Sequence, residues 1–292
     1  MLKLYLVDGT YELFRAHFGA PPAHAPDGRA VGAVKGLVQS LLVLLRDPQV
    51  TYVACAFDHV VESFRNELYE GYKTGEGVPE ELLAQFPLAE EAASALGIAV
   101  WSMTEFEADD ALATAVAKFA GQPGLEQVVV CTPDKDLAQV VRGNEVVCLD
   151  RRRNITLDYA GVWAKFGVGP ASIPDYLALV GDSADGIPGI SGWGAKASSS
   201  VLARYEHIEH IPIDVTDWED VSIRGAQRVA SNLTESREDA LLYRRLATLR
   251  NDVPLAEDFD DLLWRVVPKD RFEAFCSDLG LERLIDAPTR WL

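Results

Sequence analysis

TYVACAFD, residues 51–58, is an apolar run that ends in an aspartate. KLYLVD, residues 3–8, has the same form. Apolar runs this short and this continuous suit strands buried on both faces of a parallel sheet. Between the two, VGAVKGLVQSLLVLLR (31–46) sets Val34, Leu37, Val38, Leu41, Leu42 and Leu45 at helical spacing. The alternation continues downstream. Residues 79–96 read as an amphipathic helix, with Pro79 near its start and Gly97 just past its end. IAVWSM (98–103) reads as a strand, and ADDALATAVAKFA (108–120) as a helix stopped by Gly121. QVVVCTPDKD (127–136) is a strand entering a polar turn, and EVVCLD (145–150) a further short strand. Strands alternating with helices imply an α/β fold with a mostly parallel central sheet flanked by helices. In such sheets the working crevice lies outside the carboxyl ends of the strands. Asp8, Asp58 and Asp134 all fall there.

From about residue 170 helix-like segments dominate, around a glycine-rich turn, GIPGISGWGAK (186–196). Residues 207–223 show no assignable pattern, and the amphipathic segment 251–292 is expected to pack back on the core. The length of 292 residues suits one large domain, or a core with a smaller second domain. The N-terminal apolar run is short and interrupted by Asp8, unlike a secretory signal, and no stretch has the length of a membrane span. A cytoplasmic protein with no membrane partner is expected. Cys55, Cys131, Cys148 and Cys276 form no C-x-x-C pair and read as buried free thiols rather than a zinc site.

The net charge of −18, with 45 acidic against 27 basic residues, argues against a broad phosphate-binding surface. Carboxylates clustered around cations account for part of that excess. Acids still outnumber bases once such a cluster is set aside, so contacts to a polyanion have to be local patches.

The carboxylates that stand out are Asp8, Asp58, Glu107, Asp109, Asp110, Asp134, Asp136, Asp182 and Asp185. E-A-D-D (107–110) crowds three acids into the first turn of a helix, where the helix dipole favours anions and capping explains part of the pattern. D-K-D (134–136) sits at a strand end, and D-S-A-D (182–185) reads as two acids about one helical turn apart. Each pair alone is common on a solvated face; recurrence at successive strand ends is not. Carboxylates gathered in one place repel unless cations sit among them. Mg²⁺ and Mn²⁺ prefer oxygen ligands. Two such ions about 3.5–4 Å apart can activate a water and stabilise the leaving oxygen in phosphodiester hydrolysis. LVDGT also looks like the D-x-D-G-T motif of haloacid-dehalogenase-type phosphatases. With Asp8 as its first aspartate, however, the second would have to stand at Thr10.

LVDGTYELFRAHF (6–18), VACAFD (53–58), SFRNELYEGYKTG (63–75), FEADDALAT (106–114), CTPDKDLAQVV (131–141) and DYLALVGDSADGIPGISGWGAK (175–196) together resemble successive motifs of the bacterial 5′-nuclease and flap endonuclease family. They occur in the family's order over roughly residues 1–200. The chain looks like a stand-alone relative of the 5′-nuclease domain of bacterial DNA polymerase I. The resemblance implies a PIN/FEN-like nuclease core at 1–170 with a helical arch at about 64–97, and a helix-hairpin-helix-like DNA-binding module at 171–250. The segment 251–292 would pack on the core.

The resemblance also implies roles. Asp8, Asp58, Glu107, Asp109 and Asp110 would bind the catalytic metal and its water shell. Asp134, Asp136, Asp182 and Asp185 would complete a second site, for two or three Mg²⁺ or Mn²⁺ ions in all. Lys73 matches the arch lysine that contacts the scissile phosphate. Arg65 and Tyr72 match neighbouring arch positions, and Arg15 a basic residue near the site. A cation at the scissile phosphate would stabilise charge that builds up in the transition state. Gly189, Gly192 and Gly194 would let backbone N–H groups approach phosphates, and Lys196 would add a charge. A K⁺ ion is implied between this hairpin and the DNA backbone.

Three positions depart from the family pattern. Glu76 stands three residues after the arch lysine, where the family usually has an arginine. Pro133 replaces the glycine of T-G-D-K-D, removing an N–H and restricting the residue before it. Trp193 and Ala195 change the hairpin's G-x-G-E-K to G-W-G-A-K, with Trp193 either against a DNA sugar or filling an apolar gap. The expected function is a structure-specific 5′ nuclease, a 5′-flap endonuclease and 5′-3′ exonuclease in primer removal and DNA repair. Its substrates would be DNA with 5′ flaps or 5′ ends, with RNA primers as further substrates, and its working form a monomer. The alternative is a DNA-junction-binding protein with weak or no cleavage, which Glu76 favours and the intact acidic set disfavours. An RNA-directed nuclease is disfavoured by the glycine-rich hairpin.

Overall fold

The computed structural model describes residues 2–291. In chain order its first elements are β1 (Leu2–Asp8), α1 (Gly9–Gly19), α2 (Gly32–Leu45), β2 (Tyr52–Asp58), α3 (Phe64–Leu68), α4 (Glu80–Leu83), α5 (Phe86–Ala95) and β3 (Ala99–Met103). There follow α6 (Ala108–Phe119), β4 (Leu125–Cys131), β5 (Val146–Asp150), β6 (Ile155–Leu157), α7 (Tyr159–Phe166) and α8 (Ile173–Val180). The last helices are α9 (Ala195–Tyr205), α10 (Ala226–Glu235), α11 (Arg237–Ala247) and α12 (Lys269–Asp278). The chain forms two compact units. One comprises the chain up to Ser63, Gly75–Thr132 and everything from Asn251 on; the other comprises Phe64–Thr74 and Pro133–Arg250.

In the first unit β3, β2, β1 and β4 run parallel in that order. Both faces of the sheet are covered, so β1 and β2 are buried along almost their whole length, as their unbroken apolar sequences require. Asp8 pairs with Ala56 and Asp58 with Met103, so both aspartates reach the C-terminal edge. Helix α1 packs on α2, and α6 on β1, β2 and β3. The apolar stripe of α2 is buried, including Val34, Leu37, Val38, Leu41 and Leu45.

The helix expected over 79–96 is two helices, α4 and α5. Pro87 lies in the first turn of α5, where it offers no N–H and its ring crowds the preceding turn. The break at Gln85 is put to use. Its buried side-chain oxygen accepts from Ala33 N–H (3.0 Å) and Val34 N–H (3.2 Å), capping α2, which has no cap from its own N-terminal residue. The C-terminal stretch closes on the same unit. Trp264 donates from its backbone to Thr51 O (2.7 Å) and from its indole to Leu96 O (2.8 Å). All four cysteines are free and buried. Burial, with Glu282 nearby, pushes the Cys276 thiol up to about 11.

In the second unit β5 and β6 form an antiparallel pair, with Cys148 opposite Leu157 and Asp150 opposite Ile155. Asp158 caps α7 through Gly161 N–H (2.8 Å), and Gly167 ends it in the left-handed conformation. Helix α8 packs on α9 and α11. The stretch without a sequence pattern holds only single 3-10 turns, Ile208–His210 and Val215–Asp217. Trp193 fills an apolar gap: it is 2% exposed, and its indole N–H donates to Val229 O at 2.9 Å. No helix among the described residues is long and apolar enough to cross a membrane. Trp193→Ala is expected to lower stability by about 3–5 kcal/mol, measured by urea unfolding; a loss below about 1 kcal/mol would contradict this packing role.

Candidate functional site

The first unit collects its acids where strands hand over to helices. Asp8 ends β1 and is also the N-cap of α1, accepting from Tyr11 N–H at 2.8 Å. Its second oxygen accepts from Thr132 Oγ1 at 2.9 Å, just beyond β4. Asp58 ends β2; its backbone N–H donates to Thr10 Oγ1 (2.8 Å), and its Oδ1 accepts from Ala108 N–H (2.8 Å). Glu107 caps α6 and accepts from Ser63 Oγ at 2.7 Å, while Asp110 Oδ2 accepts from Glu107 N–H at 3.0 Å. The two form a capping box, so part of E-A-D-D serves the helix, as dipole and capping predict. Asp109 is half-buried beside them. Ser63 and Thr132 carry no signal in the sequence, since a lone hydroxyl has no spacing pattern, and Thr10 stands out there only as the residue that breaks the phosphatase motif.

The second unit holds a tighter group. Asp136, Asp182 and Asp185 each offer an oxygen within 4.8 Å of the others. Asp136 is 6% exposed, and its Oδ1 has no hydrogen-bond partner among the described residues. Burial first, then Asp134, Asp185 and Asp182, pushes its carboxyl well above the ordinary carboxylate range. Asp134 is exposed and accepts from Asp136 N–H at 3.0 Å, so Pro133 leaves the D-K-D turn formed. Lys135, which the sequence reading passed over, puts its Nζ 2.5 Å from Asp182 Oδ2. Burial works against its charge, but the bond to Asp182 and the neighbouring Asp136 and Asp134 outweigh that and raise its pKa.

Two expectations change here. Asp182 and Asp185 do not lie on a helix. Helix α8 stops at Val180, Gly181 takes φ +88°, and Asp182 and Ile187 exchange two backbone hydrogen bonds of 2.8 Å across a tight turn. Spacing of three is shared by a helical turn and a tight loop, and the positive φ decides between them. The turn holds the arch segment: Lys73 N–H donates to Asp185 O at 3.0 Å, and Lys73 Nζ lies 3.1 Å from Asp185 Oδ1. Gly186, at φ +74°, leaves no room for a side chain, since a Cβ would lie 2.1 Å from Gly71 O. The second change concerns Arg65, expected beside the scissile phosphate. It is 1% exposed, and donates to Leu246 O (2.7 Å) and Thr248 O (3.2 Å) at the C-terminal end of α11. Helix ends leave carbonyls unsatisfied, and Arg65 answers two of them. Tyr72 is buried too, with the Lys73 ammonium 5.6 Å from its ring centre.

Arg15 is half-buried in the first unit, paired with Glu12 and donating to Ser40 Oγ at 2.9 Å. In the glycine-rich hairpin, Gly189 (φ +73°) is fixed by the protein's own backbone, since a Cβ would meet Gly181 N at 2.6 Å. Gly192 (φ +84°) is exposed, and Ser191 O beside it accepts from Asn232 Nδ2 at 2.6 Å. Gly194 caps α9 with no side-chain bond to the first turn, and a Cβ there would meet nothing within 4 Å. Lys196 is exposed in that turn.

Buried carboxylates with one oxygen left unpaired, and ammonium groups drawn against them, suit a divalent cation. The donor set is all oxygen, which fits a hard ion. Residues 3–167 match the model of the 5′-3′ exonuclease N-terminal resolvase-like domain, and residues 168–270 that of the 5′-3′ exonuclease C-terminal SAM fold. The 5′-3′ exonuclease of Aquifex aeolicus is 33% identical over 98% of this chain and 94% of its own length. DNA polymerase I of Pseudomonas aeruginosa is 35% identical over 97% of this chain, which spans 31% of that protein. Among solved structures, bacteriophage T5 flap endonuclease in complex with DNA and metal ions superposes with a TM-score of 0.65 at 20% identity, covering 97% of each chain. The chain belongs to the 5′-3′ exonuclease family.

A carboxyl that holds its proton more tightly when folded stabilises the fold at low pH, and that contribution is lost as pH rises through the raised value. Without divalent cations, the melting temperature should fall as pH climbs from the ordinary carboxylate range toward Asp136's raised pKa. Asp136→Asn should flatten the fall; an unchanged pH profile would refute the assignment. Gly186→Ala should displace Asp185 and Lys73 together and cut turnover on the order of 100-fold, read as kcat on a nuclease substrate.

Proposed function

We propose that this chain is a structure-specific 5′ nuclease that hydrolyses DNA phosphodiester bonds at 5′ flaps and 5′ ends, in primer removal and repair, with RNA primers as further substrates. The observation that carries the proposal is the group of Asp136, Asp182 and Asp185, with its unpaired buried oxygen and the Lys73 ammonium on Asp185. Asp134, Asp136, Asp182 and Asp185 would hold one Mg²⁺ or Mn²⁺ ion. Asp8, Asp58, Glu107, Asp109 and Asp110 would hold another with its waters. Such ions supply an activated water and charge stabilisation on the phosphate oxygens.

The protein's own groups do the rest. Thr132, Ser63 and the Ala108 N–H aim the first unit's carboxylates. Lys73 would stabilise the charge that develops on the scissile phosphate. Tyr72 beneath it and the 182–187 turn position the ammonium, and Arg65 anchors the segment's start. The α9 N-terminus, with uncapped N–H groups, Gly194 and Lys196, suits a DNA backbone phosphate, and K⁺ would bridge there. The enzyme would act as a cytoplasmic monomer.

The test is cleavage of a 5′-labelled flap duplex with Mg²⁺ or Mn²⁺, with EDTA as control. Cutting near the junction should require metal, vanish in Asp136→Ala, and slow on the order of 100- to 1,000-fold in Lys73→Ala. Tight flap binding without cutting under either metal would replace this reading with a junction-binding protein. Glu76, exposed in the 71–80 stretch, would then be the first residue to revert to arginine.

A further inference from the structure

We infer that the second unit carries a separate pocket for an unpaired nucleobase of single-stranded DNA, built from Tyr159, Trp163 and Arg142; the choice of ligand rests on the nuclease reading above. Tyr159 and Trp163 stand one helical turn apart on α7 and are 47% and 38% exposed, unusual for rings of this size. They border a cavity of about 430 Å³, together with Arg142, Gly169, Leu202 and Glu206. That volume is in the range of small-ligand sites. Gly169 lines it too: a Cβ there would lie 3.4 Å from both Trp163 Nε1 and Tyr159 OH, so the two polar tips converge beside Gly169. Neither tip, nor the Arg142 guanidinium, bonds to any described residue. The pocket thus offers two aromatic rings with polar tips, a guanidinium and, in Glu206, an acceptor for a base N–H.

Charge favours a nucleic acid as the occupant. Arg151, Arg152 and Arg153 form the turn between β5 and β6, in a chain whose net charge is −18. Strand β6 leads from this turn into α7, which carries Tyr159 and Trp163. Aromatic rings for bases together with a cation for the phosphate, here Arg142 in the pocket lining, are the two elements of single-strand binding sites.

The experiment uses the full chain in EDTA with a short labelled single strand carrying 5-iododeoxyuridine. Photocrosslinks should map to Tyr159 or Trp163. Trp163→Ala should weaken binding about tenfold, Trp163→Phe should retain most of it, and Arg142→Glu should weaken it without touching the rings. An acidic peptide should not displace the strand. Crosslinks confined to other regions, full affinity in a folded Trp163→Ala variant, or displacement by the acidic peptide would each overturn the inference. Flap cleavage by the unaltered protein is measured alongside. Crosslinking at Trp163 without any cleavage would remove the nuclease reading and leave the pocket; cleavage without crosslinking there would do the reverse.

Discussion

Carboxylates a few ångströms apart repel one another, and in this chain that repulsion dictates where donors and cations are placed. In the first unit the acids sit at helix N-termini. Asp8 opens α1, Glu107 and Asp110 open α6, and Asp58 reaches the Ala108 N–H. The dipoles of those helices favour negative charge there. Hydroxyls of Thr132 and Ser63 add further donors. In the second unit the balancing groups are ammonium ions, Lys135 on Asp182 and Lys73 on Asp185. Asp136 is bonded to neither; burial first, then its acidic neighbours, raise its pKa against a smaller lowering by Lys135.

This division shows which parts of the architecture were legible in the sequence. The parallel strands were readable because burial on both faces leaves continuous apolar runs, and their terminal aspartates marked the edge that matters. The residues that would bind ions could be named because acids recur at those ends. Geometry within a loop was not readable. A spacing of three in D-S-A-D fits a helix and a turn equally, and only the backbone angle at Gly181 separates them. Burial was also hidden. Arg65 lies in a motif that suggests a phosphate contact, yet its guanidinium faces the last carbonyls of α11, far along the sequence. Lys135 lies inside D-K-D, but its partner Asp182 is distant in sequence, so no local spacing marks the pair.

The segment Phe64–Thr74 is held at several points. Arg65 fixes its start, Tyr72 lies under Lys73, and Asp185 holds Lys73 by both backbone and side chain. Lys73 is thereby a half-buried cation held from two sides. In the proposed reaction a cation held in this way would need little reorganisation. In the hairpin, Gly189 answers to the protein's own backbone, whereas nothing in the protein demands a glycine at Gly194.

The two compact units are interleaved along the chain, which passes between them at 63–64, 74–75, 132–133 and 250–251. No contiguous stretch of the gene encodes either one. A single truncation, fusion point or recombination event therefore cannot deliver one unit intact. Lys73 and the acids of the second unit lie on separate stretches of the chain, with β3, α6 and β4 of the first unit encoded between them.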